Sequence, residues 1–356
     1  MSQNPMPELT DIFVQLIVAL LAGTLTSFLA VPLCQRLGLI DLPGAAPHKQ
    51  HARPTPLAGG LVIGMSLAIL TLVYPSLVSG KMLGAVLATV IILLFGIWDD
   101  RAGLSALVKF AGQFLAVGIA IYSGIRIEIL SETNLPGGES LAQILNIVLT
   151  VFWLVGVTNA FNLIDSMDGI VAGLSTLASA FFIFVTLASG QPELTHWAAI
   201  LTGLSLALYF WNMPPARYFL GDSGAQTLGF LLAVLALLYN PLNKDQASSW
   251  FAPILILGVP IFDTSLVVFS RLRRHLPPFE GNRDHTYHRL VKGGLNSSRA
   301  VSLLHIIALV LDSLALFAMS QQPVVANLTF AICILAGMSL ITVFDFSEKF
   351  ITQPKH

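Results

Sequence analysis

Residues 159–173 read N-A-F-N-L-I-D-S-M-D-G-I-V-A-G, where one long apolar run ends and the next begins. Two carboxylates, Asp165 and Asp168, lie three residues apart, preceded by Asn159 and Asn162. At helical spacing Asn162, Asp165 and Asp168 share one face. Hydrocarbon offers such groups no hydrogen-bond partners, so they belong in a protein interior or against water. The stretch predicts a polar site at the boundary between two membrane helices.

Composition agrees. The chain has 356 residues, 55% of them hydrophobic and 10% charged, with a mean hydropathy of +0.79. A soluble domain carries roughly 25% charged residues. An all-α polytopic membrane protein is therefore expected, as a single integral-membrane domain over residues 1–356. A span needs about 20 mostly apolar residues. About eleven transmembrane helices are predicted, at 11–33, 57–78, 82–98, 104–123, 141–159, 169–189, 194–212, 224–240, 250–271, 299–319 and 325–345. The third and eighth runs are short. Strand alternation, a long polar segment and an internal repeat are not visible. Cys34 and Cys333 are far apart in apolar surroundings and read as small fillers, not as a disulfide framework or metal site. The first ten residues hold no Lys or Arg, so a secretory signal is not expected and the first run reads as a retained helix.

Orientation follows from the basic residues in short loops. Alternating the loops between sides gathers 15 of the 18 Lys and Arg on one face and leaves only Lys81, Arg126 and Lys244 on the other. That places the N-terminus outside and the C-terminus in the cytoplasm. The same alternation puts Asp41, Asp99, Asp100, Asp165, Asp168, Asp222 and Asp284 on the cytoplasmic side, with His48, His51, His285 and His288. The positive-inside rule does not require this of the acids, and it predicts chemistry facing the cytoplasm.

Four further stretches carry candidate residues. Residues 47–60, P-H-K-Q-H-A-R-P-T-P-L-A-G-G, place His51 and Arg53 before a Gly-Gly pair that opens a helix. Cations near such a helix start suit phosphate, and the same residues also serve as a positive-inside anchor. In F-G-I-W-D-D-R, Asp99 and Asp100 are adjacent and repel unless a cation or proton is shared. They are suited to bind Mg²⁺, take a proton or cap the next helix, and Lys109 adds a cation two turns on. Residues 212–229 begin at Asn212 and set Asp222 between glycines just before a helix, with Tyr218 and Phe219 as rings for base stacking or as interfacial aromatics. Asp168, just before Gly169, also suits the N-cap of the sixth run. In residues 281–290, G-N-R-D-H-T-Y-H-R-L, His285 and His288 lack a third metal ligand, and Arg283 and Arg289 make an anion site more natural. Asp263 and Asp312 are acids inside apolar runs, functional by default or paired with a neighbouring helix. Acidic clusters for a divalent metal beside basic ones for phosphate predict phosphoryl transfer involving a lipid.

With these motifs in order, the chain resembles the polyprenyl-phosphate N-acetylhexosamine-1-phosphate transferase family. The matching segments are H-x-R-P-T-P-L-A-G-G, W-D-D-R, N-A-F-N-L-I-D-S-M-D-G-I-V-A-G, P-P-A-R-Y-F-L-G-D-S-G and D-H-T-Y-H-R-L, spread over nearly the whole chain. The resemblance implies ten or eleven membrane helices and a metal-dependent phosphotransferase using Mg²⁺ or Mn²⁺ in a bacterial plasma membrane. It implies transfer of N-acetylglucosamine 1-phosphate from UDP-GlcNAc to undecaprenyl phosphate on the cytoplasmic face, releasing UMP. That would be the first membrane step of a cell-surface glycopolymer pathway, such as lipopolysaccharide or teichoic acid. The implied partners are a UDP-sugar, the lipid phosphate, the membrane and a second copy of the chain, with no nucleic acid.

Carried over by residue, the resemblance makes Asp222 a metal ligand with Asp99 nearby. Asp100 corresponds to a base for the lipid phosphate, and Lys109 to a partner for its charge. It assigns Asn162, Asp165 and Asp168 to nucleotide recognition and catalysis and Phe219 to stacking on uracil. His285 and His288 fall to the sugar phosphate, and Arg289, His51, Arg53 and Asn212 to substrate. The family's UDP-GlcNAc branch is matched at Asp284, His285, His288 and Arg289. Thr286 and Tyr287 depart from it, Tyr287 standing where that branch has His, which leaves the exact UDP-N-acetyl sugar open, the phospho-MurNAc-pentapeptide donor included. A cation-coupled transporter is the rival class, and its acids should lie near the bilayer midplane, not at one face.

Overall fold

The computed structural model describes residues 8–43, 53–130, 138–241, 249–276 and 284–347. His48, Lys49, His51 and Arg283 lie outside the described residues. The helices are α1 (Leu9–Leu37), α2 (Gly59–Val73), α3 (Gly80–Ala102), α4 (Ala106–Tyr122), α5 (Gly138–Ile164), α6 (Ile170–Ala188) and α7 (Pro192–Asn212). They continue with α8 (Gly221–Leu238), α9 (Ala252–Ile256), α10 (Gly258–Arg273), α11 (Thr286–Lys292), α12 (Ser297–Met319) and α13 (Pro323–Phe346).

Every predicted apolar run is helical, as it must be where no water satisfies backbone groups. Among the described residues, eight helices are long and apolar enough to cross a membrane: α1, α3, α5, α6, α7, α8, α12 and α13. The protein is thus an all-α multi-pass membrane protein. The two runs read as short, the third and eighth, become helices of 23 and 18 residues: α3 keeps polar turns helical at both ends, and α8 adds the polar start at residues 221–223 but stops at Leu238. The second, fourth and ninth runs give shorter helices, and the ninth is divided at Leu257 into α9 and α10. Pro192 and Pro323 start α7 and α13 at positions where a missing N–H costs nothing. Gly38 and Gly103 end α1 and α3 in the left-handed conformation.

The bundle places α8 against α2, α3, α5, α6 and α7. Glycine makes this possible at one end. A Cβ on Gly59 would lie 2.6 Å from Leu220 Cα, so only glycine lets the start of α2 reach the start of α8. The Gly-Gly pair read as a phosphate-binding helix start therefore serves this close approach.

Among the described residues there are also two strands too short for alternation to show. β1 (Ile40–Asp41) pairs antiparallel with β2 (Thr55–Pro56), and Leu57 bridges in parallel to Phe219. Phe219 N–H donates to Pro56 O at 2.9 Å, and Ala58 N–H donates to Phe219 O at 3.1 Å. The first and fourth loops of one face are thereby stitched together. Cys34 and Cys333 are free thiols, as expected.

Candidate active site

Six helix ends meet at one end of the bundle: the last turns of α3, α5 and α7 and the first turns of α4, α6 and α8. Asp99 leaves the last turn of α3 and is buried, and Asp222 leaves the first turn of α8. Lys109, from α4, joins them. Its Nζ donates to Asp222 Oδ2 at 2.7 Å and forms an ion pair with Asp99. Asn162, near the end of α5, points its amide at the same Asp222 oxygen, 3.5 Å away. Four helices contribute to one charged cluster whose sequence separations run to more than a hundred residues.

Asp100 faces the other way around the α3 terminus. Its carboxylate accepts Asp222 N–H at 2.7 Å and Ser223 N–H at 3.2 Å, and it takes the Ser223 hydroxyl as well. It thus caps α8 from a different helix, with a negative charge where the helix leaves N–H groups unpaired. Gly221, at φ 69°, makes room: a Cβ there would lie 2.6 Å from Asp100 Oδ2. The glycine flank of Asp222 therefore admits a carboxylate of the protein itself.

The polar residues of the stretch 159–173 divide in two. Asn159 turns inward and exchanges amide hydrogen bonds with Gln113 at 2.7 and 3.2 Å, and Gln113 donates on to Gln226 at 3.1 Å. Asp165 lies half-buried in the turn between α5 and α6 and makes no hydrogen bond or ion pair with any described residue. Burial, followed by the charges of Asp222, Asp168 and Asp100, holds its carboxyl well above the usual carboxylate range.

Asp168 does not cap α6 as its place in the sequence suggests, because Gly169 occupies that position at φ 80°. Asp168 Oδ2 instead accepts Ala216 N–H at 3.2 Å, tying the turn to the α7–α8 loop. Asn212 is a strut of the same loop: it is buried, accepts Gly169 N–H at 2.9 Å and donates to Tyr218 O at 3.1 Å. Of the two candidate rings, Tyr218 is fully buried, stacked on Trp211 and paired with Ser27 Oγ, so it is not available to a base. Phe219 is half-buried beside β2, and Arg53 is exposed just ahead of that strand.

The His motif forms α11 and its approach. Asp284 is buried against Arg271 Nε at 3.3 Å and Arg274 at 3.2 Å. Arg289, expected on substrate, is 1% exposed. Its donors reach Asp284 O at 2.8 Å, Phe344 O at 2.7 Å and Ser270 Oγ at 2.6 Å. This guanidinium holds the loop to α10 and α13. Tyr287 is a core residue packed edge-on to His288, which is half-buried.

The donor set near Lys109 fits a hard divalent cation. Two carboxylates from different helices converge on one cation position, and both supply oxygen only. Among the described residues no three ligating side chains converge, so further ligands would come from phosphate oxygens and water. Sequence reading missed Gln113, Gln226 and Ser223. Gln113 and Gln226 each follow a charged member of the cluster by four residues inside an apolar run, which was the available signal.

Fold and site together define an integral-membrane protein with an acid-rich polar centre at one end of its helix bundle. Residues 82–240 match glycosyl transferase family 4. A Bacillus subtilis (strain 168) protein named "Probable undecaprenyl-phosphate N-acetylglucosaminyl 1-phosphate transferase" is 32% identical over 85% of this chain and 84% of its own length. A Mycolicibacterium smegmatis decaprenyl-phosphate N-acetylglucosaminephosphotransferase is 30% identical over 94% and 89%. An Escherichia coli (strain K12) undecaprenyl-phosphate alpha-N-acetylglucosaminyl 1-phosphate transferase is 28% identical over 87% and 85%. The chain belongs to glycosyl transferase family 4, a family of glycosyl-1-phosphate transferases.

Proposed function

We propose that this enzyme transfers N-acetylglucosamine 1-phosphate from UDP-GlcNAc to undecaprenyl phosphate at the cytoplasmic face of a bacterial plasma membrane. A lipid phosphate oxygen attacks the sugar-bearing phosphorus, a new P–O–P link forms, the link to the uridine-bearing phosphate breaks, and UMP leaves. The observation that carries this reading is the shared cluster of Asp99, Asp222 and Lys109, with Asn162 beside it. The printed names of the relatives support the donor and acceptor. The concentration of 15 of 18 basic residues on the site's side supports the orientation.

Asp222 and Asp99 are the residues that would hold Mg²⁺ or Mn²⁺, which when bound offsets charge on the diphosphate. The protein's own groups do the rest. Lys109 Nζ keeps the two carboxylates together and offers a positive charge to an incoming phosphate. Asn162 steadies Asp222 through its amide. Asp165, whose carboxyl burial and neighbouring carboxylates hold well above the usual carboxylate range, faces the site as a candidate contact for the nucleotide. Phe219 lies on the strand-like stitch where uracil would stack, and His285 and His288 serve the sugar phosphate. Asp100 acts by fixing the start of α8.

Purified protein, UDP-GlcNAc, undecaprenyl phosphate and Mg²⁺ should release UMP. No release from folded protein refutes the proposal. A panel of UDP-N-acetyl sugars, including the phospho-MurNAc-pentapeptide donor, tests the sugar, because Tyr287 is where this chain leaves the UDP-GlcNAc pattern.

A further inference from the structure

Asp263 sits within α10, fully buried, in the stretch V-P-I-F-D-T-S. An unpaired carboxylate in such a place is costly, and both of its oxygens are taken by the start of α11. Oδ2 meets His285 Nδ1 at 2.7 Å, and Oδ1 accepts Thr286 N–H at 2.6 Å. One rigid carboxylate thus holds the ring of His285 and the peptide that follows it. The ring plane and the depth of the helix start are set together.

The contact also places a proton. An ionised carboxylate only accepts, so Nδ1 must be the donor. The neutral ring then carries its lone pair on Nε2. Nε2 makes no hydrogen bond with any described residue. The surrounding charged groups, Asp284, Arg271, Arg274, Arg289 and Asp345, are engaged with one another and brace α11 against α10 and α13. They form the frame, and His285 is the ring held within it by a dedicated carboxylate.

We propose that Asp263 is a positioning residue for the transfer reaction, keeping a proton on His285 Nδ1 so that Nε2 is turned to the substrate phosphate. This rests on the reading that His285 serves the sugar phosphate. An orienting carboxylate of this kind fixes the tautomer without touching substrate.

The test uses Asp263→Asn, His285→Ala and the double variant in the full-length protein. In Asp263→Asn the introduced amide would keep the Thr286 N–H bond through its oxygen, while its NH₂ donates to Nδ1 and moves the ring proton to Nε2. UMP release is expected to fall about 100-fold or more in each single variant, the loss lying in kcat more than in KM for the nucleotide sugar. The double variant should be no slower than His285→Ala. Losses that multiply in the double variant would overturn the proposal, since Asp263 would then act by a route other than His285. Wild-type turnover in His285→Ala would instead sink the reading of the histidine itself. Should Asp263→Asn not fold, ¹⁵N-histidine spectra of the wild-type protein, assigned by difference from His285→Ala, decide the matter. A protonated Nδ1 supports the proposal, and a bare Nδ1 with protonated Nε2 overturns it.

Discussion

Replacing Asp100 by alanine separates two uses of an acid that the sequence could not distinguish. The side chain accepts the N–H groups of Asp222 and Ser223 and the Ser223 hydroxyl. Each such bond is worth about 1 kcal/mol net, with up to about 1 kcal/mol more for a negative charge at a helix N-terminus. Asp100 is only half-buried, so water replaces part of the loss. The expected destabilisation is about 2–4 kcal/mol. Asp100→Asn keeps one acceptor oxygen but turns an NH₂ toward donors, at a cost of about 1–2 kcal/mol. The assay is thermal unfolding of the ligand-free protein in detergent, beside UMP release. Both variants should lower the melting temperature, Asp100→Ala by roughly 5 °C, and turnover should fall as Asp222 loses its fixed backbone. Should Asp100→Ala lose turnover with its melting temperature unchanged within about 1 °C, the capping argument fails, and a direct role on the lipid phosphate takes its place.

Asp222→Asn should lose at least about 100-fold in kcat while its melting temperature stays near wild type, because Lys109 retains Asp99; near-normal UMP release would remove Asp222 from the metal site. Asp165 gives a pH signature. Its folded-state carboxyl is held above the usual range, so between the ordinary value and the raised one the folded protein binds more protons than the unfolded chain. Stability of the ligand-free protein should therefore fall as pH rises through that window. Asp165→Asn should flatten the fall, and a wild-type melting profile that stays unchanged as pH rises above the ordinary carboxylate range would contradict it. Arg289→Ala removes the guanidinium donors from the Asp284 and Phe344 carbonyls in the core, while Asp345 keeps Arg273 and Ser270, at about 2–4 kcal/mol. Poor expression or a sharply lowered melting temperature is the expected outcome, whereas a folded variant with only a raised KM would restore Arg289 to the substrate.

The sequence by itself determined that this is an all-helical membrane protein and which motifs carry charge. Lipid admits few solutions for an apolar run, and a buried acid demands a reason wherever it falls. Asp99, Asp222, Lys109 and Asn162 were legible as a group because alternating helices return every second loop to the same side. What the tertiary structure decided is the use of each polar group. Asp100 and Asp99 are neighbours in the chain, yet one caps α8 and the other faces Lys109, since successive residues on a helix point about 100° apart. Asn212, Asp168 and Arg289 looked like ligand-binding residues, and in the fold each makes hydrogen bonds that hold a loop. In a motif, a side chain that binds substrate and one that positions it have the same composition. Only the direction of the Cα–Cβ bond and the distance to the nearest donor tell them apart. The stretch 159–173 shows the division most plainly: its spacing announced a polar site, and the fold sent Asn159 inward to Gln113, Asn162 toward Asp222, and left Asp165 facing three other carboxylates.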